Sequence, residues 1–411
     1  MEKQLVPKLR FPEFEKVWKK ENLQKLCRKT ISYGIVQTGG NIEKGVPCVR
    51  VVDLTGVNLD AENMIKTSEE ISNSYKKTIL EENEVMLALR GDIGLVKLVE
   101  KSLVGANITR GVARLSADED LINPFFLNWV IQSNKTLKQI NKQVNGSALK
   151  EIPLGGLRKV SIFLSGSLIE QQKIASFLTD VDNKITKLTK KKELLEQYKK
   201  GVMQKIFSQK LRFKDDNGNA FPKWEIKKLG NVFSSFKGKG IPKGDVITDG
   251  NYKCVLYGEL YTTYNEVINK VVSSTNSEDG LRSKKGDLLI PSSTTTTGID
   301  LANVTALNFE NILLGGDIIV MRGKKEINNV FYAYYLSNFK KHQIASRAQG
   351  ITIVHIYFNS IKDLEIDVPV VEEQTKIANF LSDIDVKIEA LNTKIEHSKS
   401  FKKGLLQQMF I

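Results

Sequence analysis

The stretch EQQKIASFLTDVDNKI, beginning at Glu170, returns as the helix-like segment EEQTKIANFLSDIDVKI, whose second glutamate is Glu373. The offset of 203 residues holds without a gap through Lys199, Lys200 and Gly201 against Lys402, Lys403 and Gly404, and on to Phe207 against Phe410. Roughly half of the paired positions are identical, and the echo continues upstream more weakly. LRFPEFEKVW, ending at Trp18, answers LRF from Leu211 followed by FPKW ending at Trp224, and Leu23 then answers Leu229. Midway, Phe125, Phe126 and Trp129 of FFLNWVIQS pair with Phe331, Tyr332 and Tyr335 of FYAYYLSNF, and Gly146 of NGSALK pairs with Gly350 of QGITIV. A period this long lies far beyond solenoid repeats and marks tandem duplication of a whole domain.

Each repeated tail carries a helical apolar pattern and no proline. Phe177, Val181, Ile185, Leu188, Leu195 and Val202 recur at helical intervals, as do Phe380, Ile384, Ile388, Leu391 and Ile395. At 1.5 Å per residue such a helix is roughly 55 Å long, more than one small lobe can bury. The apolar stripe therefore predicts a seam between the two copies, an antiparallel coiled coil with lysines outside. The alternative is that each helix packs only on its own lobe.

The lobes read as strand-rich, with short apolar runs such as EVMLAL from Glu84, GDLLIP from Gly286 and GDIIVMR from Gly316, bounded by Gly, Asn and Pro. The expected fold is α+β: two tandemly repeated lobes, each a twisted sheet with helices, separated by the two long helices. The boundaries expected are a first lobe at 1–167, a helix at 168–208, a second lobe at 209–369 and a helix at 370–411.

Composition narrows the function classes. A chain of 411 residues, 41% hydrophobic, can build two ordinary cores. Lys and Arg outnumber Asp and Glu by 61 to 47, a formal net charge of +14 that favours a polyanionic partner, nucleic acid first. Cys27, Cys48 and Cys254 lie far apart with no CxxC spacing, so neither a disulfide framework nor a zinc site is expected. MEKQLVPKLR lacks the apolar core of a signal peptide and no apolar run is long enough to span a bilayer, so a reducing cytosol is the expected compartment.

Catalytic chemistry finds little support. The three histidines, His342, His355 and His397, all fall in the second half, whereas a duplicated enzyme needs its acid and base in both copies. Each is read as structural or surface, and no metal site is expected. NPFF at Asn123–Phe126 resembles the Asn/Asp-Pro-Pro-Tyr/Phe loop of amino-methyltransferases but lacks the second proline, and no glycine-rich cofactor turn precedes it. The simpler reading makes Asn123 a helix cap and Pro124 a first-turn residue.

A sequence reader needs cations or amides for phosphates and fork-shaped or small polar groups for base edges. In the first lobe the candidates are Arg90 with Gly91, Thr109 with Arg110, and more weakly Tyr33 with Gln37. The second lobe offers the hydroxyl run Ser292, Ser293, Thr294, Thr295, Thr296 and Thr297, closed by Gly298, and the cationic loop with Lys237, Lys239 and Lys243. A surface arginine and a plain turn are the competing readings. Trp129, Tyr334 and Tyr335 are read as core rather than as base-stacking rings.

Together the EQQKIASFL and EEQTKIANFL helix starts, their DVDNKI and DIDVKI continuations, the LRFPEF and FPKWEIKKLG lobe starts and NPFFLNWVIQS resemble type I restriction-modification specificity subunits over essentially the whole chain. The resemblance implies a non-catalytic DNA-binding subunit in which each lobe is a target-recognition domain for one short half-site of double-stranded DNA. It also implies two long helices that fix the gap and dock methyltransferase subunits, two in number, alongside motor-nuclease restriction subunits. S-adenosylmethionine, ATP and magnesium would be bound by those partners and not by this chain. Strongly different lobes imply an asymmetric target, since a symmetric one requires matching readers. The competing classes are a free-standing DNA-binding or architectural protein and, third, an enzyme in its own right.

Overall fold

The computed structural model describes residues 6–56, 59–146 and 150–411. The chain divides within its two long helices rather than at their ends. One compact unit holds Met1–Lys191 with Leu391–Ile411, the other Lys192–Ala390. The helices themselves are uninterrupted, Leu168–Phe207 and Val371–Gln408.

In the first unit a four-stranded sheet runs in the order Ser32–Tyr33, Val112–Leu115, Val85–Ala88, Val96–Leu98. A three-stranded sheet orders Ile65–Thr67, Val46–Val49 and Asn107–Ile108, the last pair parallel. The second unit repeats this plan with five strands in each sheet. Phe233–Lys237, Ile318–Gly323, Asp287–Pro291 and Thr305–Leu307 form one run, and Tyr252–Val255 lies parallel to Leu313–Leu314 in the other. The central strands Val85–Ala88 and Asp287–Pro291 are buried along their whole length, which is why the first, and the second after Asp287, read as unbroken apolar runs rather than alternating ones.

The short helices form as the sequence suggests. Asn123 Oδ1 accepts from Phe126 N at 3.0 Å with Pro124 in the first turn, and Asn328 Oδ1 accepts from Phe331 N at 3.1 Å. Asn123 Nδ2 also donates to Gln172 Oε1, so both ends of this amide take part in holding the helix start. The shared cap corrects the alignment of the aromatic segment by one residue. Phe126 corresponds to Phe331, which packs on Phe207 at 5.9 Å as Phe126 packs on Phe410 at 5.5 Å, and Trp129 corresponds to Tyr334. The second-lobe segment also continues into a π-helical turn, Tyr335–Phe339, instead of a plain helix. Tyr334 and Tyr335 are 1% and 0% exposed and their hydroxyls donate to Asp385 and Asp367, so both rings belong to the core.

Within each unit the long helices run antiparallel. In the first, Ile174, Ala175 and Leu178 share one apolar core with Leu405, Met409 and Phe410, and Lys402 pairs with Asp182 while lying 4.7 Å above the Trp129 ring. In the second, Val202, Met203, Ile206 and Phe207 join Ile377, Ala378, Leu381 and Ile384, and Lys199 pairs with Asp385 at 2.7 Å, lying 4.8 Å above Tyr334. The two ion pairs exchange partners: each lysine comes from one copy of the repeat and each aspartate from the other. Each helix thus packs both on a lobe and on the opposite copy.

Of the expected seam positions, Leu195, Val202, Ile384 and Ile388 lie in or against the second unit's core, and Val181 against the first's. Leu391 and Ile395 are buried, while Ile185 and Leu188 are half-buried. Phe177 and Phe380 are placed differently. Their rings sit edge-on against Phe11 at 5.9 Å and Phe213 at 5.6 Å, residues of the segment leading into each lobe, so they tie each helix start to its own lobe.

Candidate nucleic-acid interface

The central strand of each main sheet ends on the same hairpin. Ile152 N donates to Leu89 O at 3.0 Å in the first lobe, and Ile356 N donates to Ser292 O at 3.0 Å in the second. One residue further on, Arg90 faces Glu151 across a bridge and Ser293 faces His355. Asn145 bridges to Glu151 and Gln349 to His355, and the glycine after the first residue of each pair is left-handed, Gly146 at φ 92° and Gly350 at φ 127°. At Gly350 a Cβ would fall 2.0 Å from Ile353 O, so no other residue fits this turn. The arginine loop of the first lobe and the hydroxyl run of the second, unlike in sequence, occupy one structural position.

Beside that position each lobe opens a cleft. In the first it measures about 450 Å³ and is lined by Tyr33, Leu89, Glu151, Pro153 and Leu154. In the second it measures about 710 Å³, lined by Lys237, Ser292, Asp317, His355, Tyr357 and Phe358, with Lys324 and Lys362 contributing as well. Tyr33 and Lys237 each precede a glycine that crosses close over a strand. A Cβ on Gly34 would lie 1.8 Å from Ile108 O, and one on Gly238 would lie 2.0 Å from Gly315 O. Those crossings hold Tyr33 and Lys237 at the cleft walls.

The remaining first-lobe candidates cluster nearby. Leu89 N donates to Gly111 O at 2.8 Å, which sets Arg90–Gly91 beside Thr109–Arg110. The Arg90 side chain is 33% exposed, pairs with Glu151 at 2.5 Å, and has a buried Nε without a partner. Gly91 is left-handed at φ 62° and exposed, Arg110 is exposed, and the Thr109 hydroxyl donates to Val49 O at 3.2 Å. Gln37 is exposed on the loop beyond Gly34.

In the second lobe the hydroxyl run is more ordered than a loop. Ser293–Thr294 is a short strand paired with Val354–His355, and Ser292, Ser293 and Thr294 are buried. Ser293 Oγ donates to Asp317 at 3.1 Å, the Thr294 and Thr296 hydroxyls lie 2.7 Å apart, and Thr296 and Thr297 donate to Asp300 at 2.6 and 3.1 Å. The Thr296 hydroxyl, foremost among several donors, holds Asp300 below its ordinary pKa, so this carboxylate stays ionised and keeps the turn closed. The exposed part of the run is Thr295, Thr296 and Thr297. Lys237 and Lys243 are exposed, as is Lys239, which pairs with Asp279 at 2.8 Å.

Sequence reasoning passed over Glu151, His355 and Tyr357. His355 has no histidine counterpart in the first lobe; its counterpart is Glu151, each lying five residues after the repeated glycine. That shared spacing was the available signal.

No cluster of side chains that could hold a metal occurs among the described residues. Burial pushes the Cys27 thiol up to about 12 and those of Cys48 and Cys254 to about 11, the behaviour of cysteines packed in apolar surroundings. Among the described residues no helix is long and apolar enough to cross a membrane.

The family model for the type I restriction modification DNA specificity domain matches twice, over residues 16–197 and 222–397. The chain is 30% identical over 144 residues to the type I restriction enzyme EcoBI specificity subunit of Escherichia coli, covering 32% of this chain and 30% of that one. It is 27% identical over 311 residues to the putative type I restriction enzyme MjaX specificity subunit of Methanocaldococcus jannaschii, covering 71% and 68%. The fold is similar to that of the type I restriction-modification S subunit from M. genitalium, with a TM-score of 0.62 at 16% identity over 99% of both chains. A chain from a structure of the type I R-M system aligns with a TM-score of 0.51 at 15% identity, over 95% of this chain and 96% of that one. With its domain matched in both halves, the chain belongs to the type I restriction-modification DNA specificity family.

Proposed function

We propose that the chain is the non-catalytic DNA reader of a type I restriction-modification enzyme, each lobe reading one half of an asymmetric, two-part target. Methyltransferase subunits, two in number, would bring S-adenosylmethionine and modify an adenine in each half. Restriction subunits would use ATP and magnesium to move along and cut unmodified DNA. The observation that supports this reading is a cleft repeated beside one strand position in both lobes, a position where unlike side chains meet, Arg90 facing Glu151 in one lobe and Ser293 facing His355 in the other. A shared scaffold with unlike contact groups is what two unrelated half-sites demand.

Purified alone, the chain is expected to transfer no methyl group. Mixed with its methyltransferase subunits it is expected to direct methylation to adenines in one gapped, asymmetric motif. Methyl transfer by the chain alone contradicts the reading. DNA binding without any association with a methyltransferase favours a free-standing DNA-binding protein instead.

Arg90→Ala is expected to weaken discrimination at one half-site by about 1–3 kcal/mol and to leave the other half unchanged. Binding to duplexes altered in each half separately would measure this. Equal weakening on every sequence would make Arg90 a phosphate contact. Matched insertions of roughly one helical turn within 186–197 and 389–400 are expected to lengthen the tolerated gap while both half-sites stay the same, read by methylation of targets with stepped spacing. An unchanged gap would remove the helices' measuring role.

A further inference from the structure

We propose that His355 is the base-reading residue of the second lobe, selecting a purine in its half-site, with Tyr357 fixing the plane of its ring; the inference rests on the reading of the chain as a DNA-specificity subunit. Among the hydroxyls beside it, those of Ser293, Thr296 and Thr297 are engaged within the protein, on Asp317 and Asp300. Arg90, the fork-shaped donor of the first lobe, is replaced here by the buried Ser293. The group left at the bridge facing that position is the imidazole. The backbone of His355 is fully committed, its N donating to Gln349 O at 2.7 Å and its O accepting from Gln349 N at 2.8 Å, so the strand is fixed and the half-buried ring is what the cleft receives. The Tyr357 ring, 60% exposed, stacks on it nearly parallel at 12° with centroids 6.2 Å apart.

An imidazole carries at least one N–H donor in the plane of its ring in either protonation state. Its N–H matches the N7 acceptor that both purines present in the major groove, whereas cytosine presents a donor there and the O4 acceptor of thymine is flanked by the C5 methyl group. Lys237, Lys324 and Lys362 around the same cleft supply charge for the flanking phosphates without sequence preference. In the first lobe the equivalent residue acts through its neighbour, Glu151 holding the Arg90 guanidinium. One position in each hairpin therefore decides the readout, directly in one lobe and through a positioned arginine in the other.

The test is selection from a random duplex DNA library by the full chain with its methyltransferase subunits, comparing wild type with His355→Ala, His355→Gln and Tyr357→Leu. His355→Ala is expected to reduce purine preference at one position of one half-site by about fivefold to tenfold, leaving the other positions and the other half intact. His355→Gln, which keeps an N–H donor, is expected to retain part of that preference, and Tyr357→Leu to weaken it at the same position. An unchanged motif with His355→Ala overturns the inference, and so does uniform loss of the whole half-site, which marks a structural role. A wild-type protein that selects no two-part motif overturns the underlying reading as well, which separates the two failures.

Discussion

Replacing Glu170 by alanine is expected to cost the first unit about 3–5 kcal/mol while sparing the second. The carboxylate is fully buried at the start of the first long helix, where it accepts from Arg10 Nε at 2.7 Å, Arg10 Nη2 at 2.8 Å and Trp18 Nε1 at 3.4 Å, and from the Ser165 hydroxyl. Without it a guanidinium and an indole N–H lose their acceptor in an apolar setting, and unmet buried donors cost more than the bonds themselves contribute. Glu373 is held the same way by Arg212 at 3.1 and 2.6 Å and by Trp224 Nε1 at 2.8 Å, so Glu373→Ala should strike the second unit instead. Hydrogen exchange resolved along the chain distinguishes the two: each variant should lose protection in one unit. Equal loss in both would contradict the assignment.

Acid should reproduce part of this effect. Burial alone would raise the Glu170 pKa, but the hydrogen bonds from Arg10, Ser165 and Trp18 together outweigh it and hold the group below its ordinary value of 4.5. A carboxylate with a depressed folded-state pKa adds stability above its unfolded value and loses it as pH falls through the folded one. Wild type and Glu170→Ala are thus expected to differ most near neutral pH, the difference narrowing only as pH falls below the ordinary carboxylate value of 4.5 and on through the lower folded one, in denaturation curves followed across pH.

Phe410→Ala is expected to destabilise the first unit by about 3–5 kcal/mol, although the residue follows the second lobe in sequence. Its ring is 6% exposed and lies 6.3 Å from Trp18 and 5.5 Å from Phe126, closing the core of the first lobe. Phe207 does the same for the second, 5.9 Å from Phe331 and 5.4 Å from Tyr335. Urea unfolding followed by Trp18 and Trp129 fluorescence, in variants lacking Trp224, would read the first unit. A loss below about 1 kcal/mol, or one confined to the second unit, would show that the helix end does not seal this core.

How much of this could be read in advance follows from which forces leave a periodic mark. The long helices were legible because Ile384, Ile388, Leu391 and Ile395 repeat at the helical period over many turns. Asn123 and Pro124 were legible because capping chemistry is local. Phe177 and Phe380 carry the same period as the seam, and only packing shows that they turn to Phe11 and Phe213. The one-residue shift between Phe126 and Phe331 was hidden because several aromatics in a row allow more than one alignment, and the cap hydrogen bonds decide among them.

Within the candidate interface, Arg90 and Lys237 could be singled out by type and neighbouring glycine, and Tyr33 by its equivalent position early in the first lobe. Burial of Ser292, Ser293 and Thr294 could not, because it depends on the strand pairing of Ser293 with His355 some sixty residues away. The same pairing brings His355 to the cleft. Long-range strand pairing leaves little trace in a single chain, which is why polar residues there are harder to assign than those on a helix.

The most direct measurement of the central claim is a long-read map of methylated adenines in cells carrying this subunit and its partners. The expected result is one motif of two short blocks unrelated in sequence and separated by unspecified bases, with one block changing when residues of a single lobe's cleft are replaced. A palindromic motif, a single uninterrupted block, or both blocks changing together would contradict two independent readers on one chain.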